Sequence, residues 1–128
     1  MSINELQKKL LTSIGEKLMA FGFSKKVKQQ SFYRPFEKGN AYVHLSFINH
    51  ADDFDVTLDV AIRFDEVENL VNSKNNFLTK KEKAETCTLG VELGNLSNGV
   101  PKRWNISSDD QISTVTGSIL ATYKKCCG

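Results

Sequence analysis

A chain of 128 residues, 40% hydrophobic and 25% charged, has the size and make-up of one folded domain, which excludes wholesale disorder. Its formal net charge of +2 is too small to imply a nucleic-acid partner by itself. No apolar run approaches the roughly 20 residues of a membrane-spanning helix, and "MSINELQKKLL" has no signal-peptide core. Three cysteines in no framework spacing fit a reducing compartment, so a cytoplasmic location is expected.

Ser2-x-x-Glu5 reads as a capping box opening a helix over about 3–21. Leu6, Leu10, Ile14, Leu18 and Phe21 form its apolar stripe, Gly22 supplies a left-handed end, and Phe23 folds back on the last turn. After the basic connector "SKKVKQQ", two alternating runs predict a hairpin over about 31–49 that turns at Gly39-Asn40. That turn sets Phe36 opposite Val43 and Phe32 opposite Phe47. Pro35 then sends no amide to its partner, which makes the first strand an edge.

"FDVTLDVAIRF", about 54–64, alternates most cleanly and predicts a strand with one buried and one wet face. A short helix is expected over about 66–72, where Val67, Leu70 and Val71 share a face, and "SKNNFLTKKEKAE" reads as a loop holding at most one helical turn. A strand over about 86–93 would bury Cys87, Leu89, Val91 and Leu93, and "GNLSNGVP" is turn chemistry. A short strand over about 103–106 puts Trp104 and Ile106 on one face. Ser108-x-x-Gln111 then caps a helix over about 109–124 with an apolar stripe of Ile112, Val115, Ile119, Leu120 and Tyr123, and "KKCCG" reads as a frayed end. The order predicts an α+β fold in one domain, 1–128. An antiparallel sheet of about four to five strands carries the N-terminal and C-terminal helices on one face.

Gly90, Gly94 and Gly99 follow neither the dinucleotide nor the P-loop spacing, so they read as turn punctuation rather than a phosphate cradle. The main charge asymmetry is acidic: Asp52, Asp53, Asp55, Asp59, Asp65, Glu66 and Glu68 against Arg63 alone. Asp53, Asp55 and Asp59 share the outward face of one strand, without the spacing or histidine of a metal site; they suit a docking surface for a basic partner. The cations fall in separate clusters (Lys25, Lys26, Lys28; Lys80, Lys81, Lys83; Lys102, Arg103; Lys124, Lys125). A nucleic-acid module is the alternative reading, disfavoured because Asp55 and Asp59 lie beside Tyr33 and Tyr42. His44 and His50 stand too far apart to share a metal, and no nucleophile has an adjacent base. No catalytic residue, cofactor or metal is therefore assigned, and a monomer or weak homodimer is expected.

"LMAFGFSKK", "VAIRFDEVENLV", "TLGVELGNLSNG" and "RWNISSDDQISTV" together resemble a bacterial family of small single-domain proteins of unknown function. Such proteins are often found near toxin loci and are immunity-protein-like. The resemblance implies a helix, an antiparallel sheet and a closing helix, with no catalytic residues. It also implies a cognate protein toxin as partner, neutralised by direct binding, with Asp53, Asp55 and Asp59 steering and Tyr42 or Trp104 as an aromatic anchor.

Overall fold

The computed structural model describes residues 1–24, 30–75 and 77–127. The fourfold leucine and isoleucine spacing of the N-terminus becomes helix α1, Ile3–Leu18, prolonged by a 3-10 turn over Met19–Phe21. Ser2 accepts the Glu5 amide at 3.2 Å, and Leu6, Leu10, Ile14 and Leu18 are buried. Gly22 ends the helix at φ 88°, and the Phe23 amide returns to the Leu18 carbonyl at 3.3 Å. Three lysines of the connector, Lys25, Lys26 and Lys28, lie outside the described residues.

The hairpin of β1 (Ser31–Phe36) and β2 (Gly39–Asn49) turns at Glu37-Lys38, not at Gly39-Asn40. Phe36 pairs with Gly39 and Phe32 with Val43, in place of the expected Val43 and Phe47. The shift is by an even number, so the same side chains still face the core. Gly39 is there for a different reason. A Cβ on it would fall 1.7 Å from the Arg63 carbonyl oxygen of β3 (Phe54–Phe64), and only a bare Cα lets the two strands approach. Pro35 sits on the edge strand as its missing donor requires.

The antiparallel sheet has five strands in the order β1-β2-β3-β4, with β5 also on β3. β4 (Leu89–Glu92) pairs with Asp59–Ile62, and β5 (Trp104–Ile106) with Phe54–Val56. The two are halves of one broken strand. Between them "LGNLSN" is helix α4, Leu93–Asn98, where the sequence reads as turn. Glu92 caps it, and Gly94 lets it close: a Cβ there would lie 2.4 Å from the Lys102 nitrogen.

The last helix, α5 (Ile112–Cys127), continues through Lys124, Lys125, Cys126 and Cys127 instead of fraying. Gln111 accepts from the Ser107 and Ser108 amides ahead of it, as a capping box does. α1 and α5 lie side by side on one sheet face, joined by a Thr116–Ser13 hydroxyl contact at 2.9 Å. Ile112, Val115, Ile119 and Tyr123 meet Phe32, Val43, Leu45, Phe54, Val56 and Leu58 there in one core.

Helix α2 (Asp65–Asn72) reverses its expected orientation. Val67, Leu70 and Val71 are exposed, while Glu68 and Asn72 are buried. The cause is Arg63, 5% exposed, which faces outward from β3 and must be satisfied. It binds Asp65 at 2.8 Å and the Lys83 and Thr86 carbonyls at 2.9 and 2.7 Å. Asn72 donates to the same Lys83 carbonyl at 3.0 Å and to Thr86 Oγ1 at 2.8 Å, and Thr88 donates to Glu68 at 2.9 Å. The network ties down the segment containing α3 (Lys80–Glu85), whose capping box is Thr79 with Glu82.

The fate of the next strand also differs from expectation. Leu89 is 65% and Val91 37% exposed, because α5 ends before covering them; Cys87 is exposed rather than buried. Of that series only Leu93 enters the core, from α4.

Candidate functional site

With α1 and α5 on one face of the sheet, the side chains that alternate away from them form the opposite face. Tyr42, His44, Ser46 and Ile48 of β2 and Asp55, Thr57, Asp59 and Ala61 of β3 are all half-buried, as side chains standing on an uncovered sheet are. Among the described residues, the segment before β4 crosses this face at Arg63 and closes it over there.

Cross-strand register orders the face into rows. Tyr33 pairs with Tyr42, Tyr42 with Ala61, and Ala61 with Gly90. The tyrosines thus stand beside two small residues, a ridge next to a step. One row on, Ser31, His44, Asp59 and Glu92 follow each other across the four strands. Tyr42 and Asp59 are diagonal neighbours, within about 7–8 Å of each other.

The three candidate aspartates separate into two places. Asp53 and Asp55 share Asn105, whose amide donates to them at 3.1 and 3.0 Å. His50 adds a 2.6 Å contact to Asp53 and lies 4.0 Å from Asp55, as Arg103 also does. Hydrogen bonds from Asn105 and then His50 hold the Asp53 carboxyl below its usual range. This pair is partly neutralised by its own neighbours. Asp59 lies four residues up the strand, about 13 Å away, and forms no ion pair within 4.0 Å among the described residues. It is the acid on this face that remains available to steer a cation.

Trp104 is not on this face. It is 7% exposed, its indole donates to Ser118 Oγ at 2.9 Å, and Lys102 lies over its ring at 5.6 Å. Its role is to join β5 to α5 within the core, so the expectation of a Trp104 anchor is corrected. A single tryptophan beside two cations does not reveal from sequence which side of a three-residue strand it takes.

A contact invisible in sequence is Ser31 Oγ to His44 Nδ1, at 2.6 Å. With Asp59 opposite His44 this places a hydroxyl, an imidazole and a carboxylate in one row. Acyl transfer also needs amides free to hold an oxyanion and a carboxylate bonded to the imidazole. Here no hydrogen bond joins His44 to Asp59 among the described residues. No group of three or more His, Cys, Asp or Glu able to hold a metal occurs among the described residues.

The glycine-rich stretch does contain a helix start, and its anion place is filled from within. The Glu92 carboxylate accepts the Gly94, Asn95 and Lys102 amides at 2.7, 3.0 and 3.3 Å. A phosphate would have to displace it.

Among the described residues the basic clusters belong to separate elements: Lys80, Lys81 and Lys83 lie in α3, Lys102 and Arg103 precede β5, and Lys124 and Lys125 end α5. Among the described residues no helix is long and apolar enough to cross a membrane. Compared with known proteins, the chain matches no family model, and no curated protein or solved structure matches it either.

Proposed function

We propose that this chain is a non-catalytic binding protein that docks a protein partner on the uncovered face of its sheet. The observation that carries the reading is the Tyr33–Tyr42 pair, standing on that face beside Ala61 and Gly90 and diagonal to Asp59. Tyrosines on a rigid strand supply large contact area at low entropic cost, and a neighbouring acid speeds encounter with a basic surface. Four strands about 4.8 Å apart, over six residues of about 3.4 Å, give roughly 300–400 Å². That is under half of the roughly 800 Å² each partner buries in a stable complex. The rim must therefore take part, and it holds His50, Asp53, Asp55 and Arg103.

The resemblance set out above supports a more specific form of this reading. The partner is then a toxin with a basic surface, and the chain is the cytoplasmic immunity protein that occludes it. Co-expression with the toxin encoded by the adjacent gene tests it. Growth is restored by the chain, and a complex elutes on size exclusion. Persistent toxicity with no complex contradicts the immunity role. A complex that survives Tyr42→Ala together with Asp59→Lys contradicts the face.

A further inference from the structure

The opposite, helix-bearing face of the sheet is not fully covered. Beyond the end of α5 the floor continues into a groove of about 560 Å³, within the range of small-molecule sites. Its floor is one cross-strand row: Arg34 pairs with Ala41, Ala41 with Ile62, and Ile62 with Leu89. Three strand spacings make that row about 14 Å long. Ala41, between two larger neighbours, is what hollows it. Tyr123 and Cys127 of α5 and Leu96 of α4 form the walls.

Two features define what fits. The first is apolar surface left in water: Ile62 is 39%, Leu89 65%, Val91 37% and Leu96 45% exposed, all in this one place. A contiguous patch of this kind costs about 25 cal/mol per Å² while it stays wet. The second is Arg34 at one end of the row. Its guanidinium donates to the Phe21 carbonyl at 3.0 Å and rests 5.2 Å from the Phe23 ring centre, with no carboxylate within 4.0 Å among the described residues. A guanidinium has five donors, so most of its capacity is open to a ligand. Among the described residues no Asp or Glu lines the groove, and burial pushes the Tyr123 phenol up.

We infer that the groove binds one free medium-chain aliphatic carboxylate, its chain over Ile62 and Leu89 and its head on Arg34. The charge at one end and the apolar floor along the rest match that amphiphile end for end. A cationic amphiphile of the same length would meet Arg34 as a like charge. Tyr42, Ala61 and Gly90, which belong to the row proposed for a protein partner, also border this groove, so the two sites adjoin.

The test uses the intact chain and sodium decanoate below its micelle concentration, followed by amide chemical shifts and calorimetry. One saturable site is expected, with shifts at Ala41, Ile62, Leu89 and Val91. Octanoate, two methylenes shorter, binds about tenfold more weakly, and decyltrimethylammonium at least tenfold more weakly than decanoate. Arg34→Gln removes most of the difference between the two decyl probes. Ala41→Leu fills the floor and abolishes binding of both, while Leu70→Gln, exposed on α2 and outside the groove, leaves binding unchanged. The inference is overturned by groove amides that do not move at millimolar decanoate, or by equal decanoate affinity in Arg34→Gln. A dimer that protects Leu89 and Val91 and does not dissociate on adding decanoate also overturns it.

Discussion

Tyr33 and Tyr42 face each other across the β1–β2 ladder, on the side of the sheet opposite α1 and α5. A directly opposed aromatic pair on an antiparallel ladder stabilises the sheet by about 0.2–1 kcal/mol, so its removal is cheap for the fold. For a partner it is expensive. Tyr42→Ala weakens partner binding by about 2 kcal/mol or more, roughly 30-fold, and lowers unfolding free energy by less than about 1 kcal/mol. Calorimetry of the complex and urea melts of the free chain measure the two effects separately.

Trp104 behaves in the opposite way. Trp104→Phe loses the indole bond to Ser118 and destabilises the chain by about 1–2 kcal/mol in urea melts, with partner affinity unchanged. Ser118 is itself exposed, so the lost partner is replaced by water. A fall in affinity without loss of stability would return Trp104 to the interface.

Gly39→Ala drives a methyl against the Arg63 carbonyl, a backbone atom that cannot rotate aside. The cost is about 3 kcal/mol, or a melting temperature lower by about 10 °C. Were Gly39 the first residue of the turn, the same change would cost less than about 1 kcal/mol.

The reversed face of α2 gives a paired test. Asn72→Leu makes the helix more regularly apolar yet removes bonds to Lys83 and Thr86, and it destabilises by about 2 kcal/mol. Leu70→Gln, at a position 68% exposed, stays within about 0.5 kcal/mol of the parent.

These residues also show what the sequence discloses and where it stops. The strand alternation of β3 and the helical stripes of α1 and α5 are explicit, because each pattern is long and one face must be buried. A glycine followed by asparagine signals a turn equally well whether the chain turns there or presses a strand against its neighbour, so the hairpin register was not legible. Periodicity shows that Val67, Leu70 and Val71 share a face, but not that Arg63 will draw the other side inward. Six-residue α4 is too short to show a period, and α3 formed within a stretch that reads as a loop holding one helical turn. Of the candidate site, the aspartates and Tyr42 were visible on alternating strands. Their rows, and the burial of Trp104, depend on pairings between strands that no local pattern contains.

Acid stability follows from Glu68. Hydrogen bonds from Thr86 and Thr88, with the Arg63 charge nearby, hold its carboxyl below the ordinary 4.5. A depressed folded value means that the carboxylate's contribution is complete above about 4.5 and is lost as pH falls below it through the folded value. Glu68→Gln therefore flattens this part of the acid limb below about pH 4.5, seen in urea midpoints as pH is lowered. An unchanged limb would place the titrating group elsewhere.

The most direct test of the central claim is amide hydrogen exchange of the chain with and without the toxin proposed as its partner. Slowed exchange should concentrate in β1, β2 and β3 around Tyr33, Tyr42 and Asp59, with α1 and α5 unaffected. Protection confined to α1 and α5, with the Tyr33–Tyr42 row exchanging as in the free chain, would contradict the account.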